Sequence, residues 1–387
     1  MSNLLRQSLN GAPPPPRPRP LPLSSSALSD LDEHSSSDSS TSSVDSSASV
    51  NTLRPSSREQ SAPPGHWTNY FSQELYLDQE DERQKARYHV YLTPPTDVQK
   101  GPLFICHHGA GASGLSFAVF AKHICQRLPG AGILSLEARA HGSTVTDIET
   151  GNQITDFSLA TLTSDALAMI TLTQHHLSWP TLPPSILIGH SLGGAIATQL
   201  AVDYALGHAL LGYTVIDVVE GSALEALAHM KTYLSSRPTT FNTVDEAITW
   251  HTRTRTIRHA ESAHVSVPSL LIQQPTSGGK FTWRTDLAAT SPWWEEWFHG
   301  MSAKFLAGRG AKELILAGTD RLDRELMIGQ MQGKFQLVVI PEAGHFVQED
   351  VPERVAGLLV EFFKRNDRSA LVLPPKVSEL LARGEKV

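Results

Sequence analysis

Cysteine is nearly missing: Cys106 and Cys125 are the only two in 387 residues. Two thiols make no disulfide framework, so the chain is expected to fold around a hydrophobic core in a reducing compartment, with both cysteines serving as buried small hydrophobes. Long apolar runs are missing too. None reaches the ~18 residues of a membrane span, and the first residues lack the apolar stretch of about 7–15 that a signal peptide carries. A cytoplasmic and/or nuclear location, free of membrane, is the expectation. Basic residues are not in excess: 32 Lys and Arg stand against 39 Asp and Glu. The resulting net charge of −7 argues against nucleic acid as the main partner. Metal-ligand spacing is also absent. The pairs His107-His108 and His175-His176 lack i,i+4 or CxxC companions, so they read as packed or solvated side chains, and no metal is expected.

What is present divides the chain. Residues 1–65 hold "PPPPRPRPLPL" and then a serine-rich run, with too little to bury against the entropy of ordering, and read as a disordered tail. The PxxP spacing from Pro15 to Pro18 fits such a tail better than an SH3 ligand. From His66 onward apolar runs and amphipathic stretches appear. Alternation at "QELYLDQ" and "KARYHVYLT" predicts an opening antiparallel pair. Strands at "PLFICHH", "AGILSLEA", "SILIG" and "YTVIDVVEG" then alternate with helices at "SFAVFAKHICQRL", "SLATLTSDALAMITLTQHH" and "GGAIATQLAVDYA". This rhythm predicts an α/β architecture, a mostly parallel central sheet with helices on both faces. It breaks over residues 222–300 and resumes with "KELILAGTD", "FQLVVIPEAGHF" and the helix "VPERVAGLLVEFFKRN". The interruption reads as an inserted cap over the carboxyl edge of the sheet. One domain is thus expected over residues 66–366, followed by a C-terminal tail, 367–387. Trp283, Trp293, Trp294 and Trp297 cluster in the insertion, where a substrate groove and plain core packing explain them about equally well.

Inside this frame the stretch "LIGHSLGGAIA" matches Gly189-x-Ser191-x-Gly193 between a strand and a helix, the setting of a nucleophile elbow. A serine needs a base, and the base needs an orienting acid. His345, alone among 17 histidines in following the last strand, is the expected base. For the acid two carboxylates end successive strands, Asp217 and Asp320, and spacing does not choose between them. The loser would be a capping or loop-ordering carboxylate. The oxyanion donors are expected to be the backbone N–H of Leu192 and one from the loop "HHGAGASG", at Ala110 or Gly111. Substrate contacts are expected from His108 and Gly109 of that loop and from Arg255, Arg258 and Trp283 of the insertion. One pattern competes: Gly109-x-Gly111-x-x-Gly114, with Glu137 some twenty residues on, has the form of a dinucleotide fingerprint. The upstream antiparallel pair, the His107-His108 prelude and the independent serine elbow count against that use.

Together the motifs resemble the protein phosphatase methylesterase family of α/β hydrolases, its fungal members in particular. The resemblance runs from residue 66 to about 365 and rests on "WTNYFSQE", "HHGAGASGLSFAVFA", "EARAHGST", "GHSLGGAIA", "VIDVVEGSALEAL", "RTIRHAESAHVS", "TWRTDL", "WFHGMSAKFL" and "AGTDRLDRELMIGQMQGKFQLVVIPEAGHFVQEDVPERVA". One departure is Gly109-Ala110-Gly111, where the family often has three glycines. The resemblance implies Ser191, Asp217 and His345 as the triad, no cofactor, and as substrate the methyl-esterified C-terminal leucine of the catalytic subunit of protein phosphatase 2A, acted on by a monomer. A small-molecule esterase or lipase of the same fold would share every catalytic residue; the family-specific stretches argue for a protein substrate.

Overall fold

The structure, a computed structural model, describes residues 65–274, 278–318 and 322–367. Asp320, the Pro15–Pro18 spacing and the segment after Asp367 lie outside the described residues. The chain enters through a 3-10 turn at Trp67–Asn69 and forms the antiparallel pair β1 (Gln73–Glu80) and β2 (Gln84–Thr93). There follow β3 (Leu103–His107), α1 (Ala118–Arg127), β4 (Gly132–Glu137), β5 (Thr144–Asp147), α2 (Leu159–His176), β6 (Ser185–His190), α3 (Leu192–Val202) and β7 (Leu210–Ile216). The insertion holds α4 (Glu220–Ser236), β8 (Thr240–Phe241), α5 (Val244–Arg253), α6 (Ala260–Ser266), β9 (Leu271–Gln273), β10 (Phe281–Trp283) and α7 (Trp294–Phe298). Then α8 (Met301–Ala307), β11 (Ala311–Leu316), α9 (Arg324–Met331), β12 (Gln336–Val339), α10 (Val347–Asp350) and α11 (Pro352–Asn366) complete the described chain.

The central sheet runs in the order β1-β2-β4-β3-β6-β7-β11-β12, with β5 added beside β2. From β4 to β12 all neighbours are parallel. Strands covered on both faces must be apolar throughout, and β3, β4 and β6 are buried at every residue. On one face α1 packs against α11; Phe104, Phe117 and Phe120 have no exposure there, and each contributes about 1.5–3 kcal/mol by leaving water. The other face carries α2, α3 and α8. Helix α2 shows how the sequence encodes this. Ser158 caps its first turn by accepting the Thr161 N–H, and Leu159, Leu162, Ala166, Met169, Ile170 and Thr173 make one buried stripe at helical spacing.

Two features escape the sequence pattern. Strand β5 has only four residues and pairs antiparallel with β2. Within the insertion β8, β10 and β9 form a separate three-stranded sheet of strands two or three residues long, too short to show a period. It covers a small core of its own, built on Phe241, Ile248, Ile257 and Leu271. Among the described residues no helix is long and apolar enough to cross a membrane.

Candidate active site

The serine is set by its backbone. Ser191 joins β6 to α3 with φ 51° and ψ −119°, a strained conformation of the kind that costs about 1–3 kcal/mol and persists only where its surroundings impose it. Its N–H donates to the Ile216 carbonyl at 3.0 Å, and its own carbonyl accepts from the Gly194 N–H at 2.8 Å. The flanking glycines are steric necessities. A Cβ on Gly189 would stand 2.0 Å from the Gly193 carbonyl oxygen, and one on Gly193 would stand 2.2 Å from that of His107.

Asp217 follows β7 with φ 53°, held by its N–H on the Ile315 carbonyl at 2.8 Å. Its Oδ1 accepts from the Ala317 N–H at 2.6 Å, and its Oδ2 lies 2.7 Å from His345 Nδ1. A carboxylate at that distance places the ring proton on Nδ1, so Nε2 presents a lone pair. Asp217 is 8 % exposed and His345 51 %, the order expected when a buried acid orients a reachable base. The histidine loop has its own supports. Asp350 Oδ2 accepts from the Gly344 N–H at 2.6 Å, and His190 Nε2 donates to the His345 carbonyl at 2.8 Å. The same Asp350 accepts the Arg258 N–H at 2.7 Å, and the Arg258 guanidinium donates to the Glu342 carbonyl.

The oxyanion side is arranged by neutral histidines. His141 Nδ1 donates to the Arg139 carbonyl at 2.9 Å, which leaves Nε2 to accept the Gly111 N–H at 2.9 Å. Burial lowers the His141 pKa to about 4, so the ring stays an acceptor near neutrality. Gly111, at φ 74°, has its N–H committed to this bond. The donors left for an oxyanion are then the N–H of Ala110 and that of Leu192, which opens α3 and has no partner within the helix. The Ala110 methyl packs against the core, which accommodates the one departure from a triple glycine.

Ser191, Asp217, His345, Ala110, Gly111 and Leu192 line one cavity of about 610 Å³, roofed by the insertion. Gly109, Arg255, Arg258 and Trp283 line it too. His108 does not. It is buried beneath the loop, its Nδ1 donating to the Gly109 carbonyl at 2.7 Å and its Nε2 accepting the Ala138 N–H at 3.1 Å, so it shapes the loop without reaching the cavity. The tryptophans divide. Trp294 and Trp297 are buried in the main core and also meet the cavity, Trp293 packs on Phe157 and Trp283 belongs to the insertion's core. Glu137 is buried and takes the Gly114 N–H at 2.9 Å, so the apparent fingerprint closes on itself and leaves no carboxylate for a ribose. Among the described residues no group of three or more His, Cys, Asp or Glu is placed to hold a metal.

The residues that sequence reasoning missed are His141, His190, Asp350 and Arg237. His190 sits inside the serine motif and was hidden by it; of the others, His141 and Asp350 act on partners 30 and 92 residues away and Arg237 through an aromatic contact, and no spacing marks them.

Residues 104–358 match the model of the α/β hydrolase family. Among solved structures, E-2-(acetamidomethylene)succinate hydrolase superposes with a TM-score of 0.55 at 16 % identity over 76 % of this chain and 100 % of its own, and a thioesterase domain from the curacin biosynthetic pathway with 0.52 at 19 % over 74 % and 99 %. Identities this low speak for the fold alone. Closer relatives are proteins named protein phosphatase methylesterase 1. That of Aspergillus oryzae is 57 % identical, covering 84 % of this chain and 77 % of its own, and that of Schizosaccharomyces pombe is 46 % identical, covering 80 % and 87 %. Since identities of 57 % and 46 % cover 84 % and 80 % of this chain, and the hydrolase family model spans Ser191, Asp217 and His345, the chain belongs to the protein phosphatase methylesterase 1 family of α/β hydrolases.

Proposed function

We propose that this chain is a serine carboxylesterase that removes the methyl ester from the C-terminal leucine of the catalytic subunit of protein phosphatase 2A. The observation that carries the reading is the Asp217–His345 pair at 2.7 Å sharing a cavity with the strained Ser191, in a chain whose relatives are named for this activity. In the first half-reaction His345 Nε2 takes the Ser191 hydroxyl proton as Oγ bonds to the ester carbonyl carbon. The oxygen that becomes negative is held by the N–H groups of Ala110 and Leu192, and Asp217 stabilises the imidazolium. Collapse breaks the carbon–methoxy bond, and the proton on Nε2 leaves with methanol. Water then attacks the acyl-enzyme, giving its proton to Nε2; Oγ recovers it as the leucine carboxylate departs. The charge at the phosphatase terminus changes from neutral to negative, so the reaction rewrites an electrostatic signal.

The test is methanol release from purified methylated phosphatase. Wild-type chain should release it, and Ser191→Ala should lower turnover by about 10⁴ or more while keeping its melting temperature, since the attacking atom is gone and the backbone donors remain. Release of methanol by the well-folded variant would remove Ser191 from the mechanism. Turnover of p-nitrophenyl esters without any of the methylated phosphatase would return the protein to the small-molecule esterases.

A further inference from the structure

The cavity wall contributed by the insertion contains a cation without a counter-ion. Arg237, just after α4, makes no side-chain hydrogen bond or ion pair with any described residue, and its Nε is buried with no partner. Its guanidinium lies over the Trp283 ring at 4.3 Å. That ring is held in turn: Trp283 Nε1 donates to the Pro238 carbonyl at 2.7 Å, and Phe241, Trp250 and His251 pack against it at centroid distances of 5.5, 6.0 and 5.6 Å. A guanidinium seated over a fixed aromatic ring is held in place with its fork of N–H groups still available.

The surrounding charges do not neutralise it. Of the other charged lining residues, Arg258 is tied to Asp350, Asp217 to His345, and Glu349 to the Ser266 hydroxyl, with burial pushing its carboxyl well up. The exposed Arg255 adds positive charge. A chain of net charge −7 thus presents a positive cavity wall, and a half-buried cation with unused donors is stabilised by whatever anion enters.

We propose that Arg237, seated over Trp283, is a carboxylate-recognition site for an acidic side chain of the esterified substrate, a few residues before the ester. This rests on the methylesterase reading. The ester end is itself uncharged, so only an internal Asp or Glu brings the complementary charge in the ground state. Arg237 belongs to the wall built by the insertion and not to the sheet edge that carries Ser191, which suits it to the chain leading up to the ester.

The experiment uses the full chain and peptides ending in leucine methyl ester, with Asp or Asn placed in turn at each of the positions before the leucine. At one position Asp should be preferred over Asn by about tenfold in kcat/KM at low salt, the scale of one charge-assisted fork. Arg237→Gln should bring that ratio to about one, and Arg237→Lys, which keeps the charge without the fork, should leave an intermediate ratio. A merely structural role would lower both rates and leave the ratio intact, which overturns the proposal, as does the absence of a preferred position. Should no peptide ester be turned over, methanol release from intact methylated phosphatase decides the methylesterase reading separately. The site is then tested by inhibition of p-nitrophenyl butyrate hydrolysis: stronger inhibition by the Asp peptide amide than by the Asn one, lost in Arg237→Gln, supports it, and equal inhibition overturns it.

Discussion

Asp217 shows what a single residue contributes here: it takes a left-handed backbone conformation, spends one oxygen on the Ala317 N–H and the other on His345. Asp217→Asn keeps the size but presents an amide that favours the wrong tautomer of His345, so turnover should fall by about 10⁴ with little change in melting temperature. A loss below about tenfold in steady-state kinetics would show that another group orients the base. Glu137 carries a second residue-scale expectation. It sits beneath the oxyanion loop with Oε2 unpartnered, 3.5 Å from His108 Nε2. That contact is no ion pair, because His108 Nε2 already accepts a backbone N–H and burial holds the ring neutral. Burial likewise raises the Glu137 carboxyl from 4.5 to about 8. Between those values the folded chain binds a proton that the unfolded chain releases, so stability falls as pH rises, and the full cost is present above about 8. Glu137→Gln cannot ionise and should therefore gain on wild type in thermal melts as pH goes from 6 to 9. A difference independent of pH would mean that Glu137 is ionised throughout.

At the scale of elements, the join of β6 to α3 is the most constrained part of the fold. Gly193→Ala would push a methyl into the backbone of β3 at His107, with no flexible side chain to give way. Destabilisation of about 3 kcal/mol or more is expected in urea unfolding, the upper end for overpacking, with activity lost even where the variant folds. A change below about 1 kcal/mol would show that strand and helix can separate. This element was legible in the sequence because glycines at 189 and 193 around a serine, after a buried strand, leave the backbone few alternatives. Elements without such constraints were not legible: β5 and the insertion's three strands lack length for a period and exist only because β2 offers β5 a partner and β10 offers one to β8 and β9.

For the whole molecule the insertion decides access. It roofs a cavity of about 610 Å³ whose floor carries chemistry that any hydrolase of this fold could perform. A leucine side chain alone supplies only about 1–3 kcal/mol of discrimination per methylene-sized difference, so selection of one protein must use contacts remote from the ester. Intact methylated phosphatase should accordingly show a much higher kcat/KM than its methylated C-terminal peptide, because remote contacts align the ester as well as bind it. Equal values for peptide and protein would place all recognition inside the cavity.

The sequence by itself determined the alternation of strands and helices, the break between residues 222 and 300, and the serine on its turn, since each follows from local periodicity or local sterics. It also brought the acid down to two carboxylates that end successive strands. The resemblance pointed to Asp217 as the partner of His345, but only the tertiary structure supplies the reason, for the two residues stand 128 apart and meet because the sheet sets β7 beside β6 and brings β11 and β12 alongside. The same holds for the Gly111 N–H, taken by a histidine 30 residues away, and for Arg237, whose lack of a counter-ion depends on every element packed around it. Periodicity is a property of neighbours along the chain, whereas hydrogen-bond partners and unpaired charges are properties of neighbours in space.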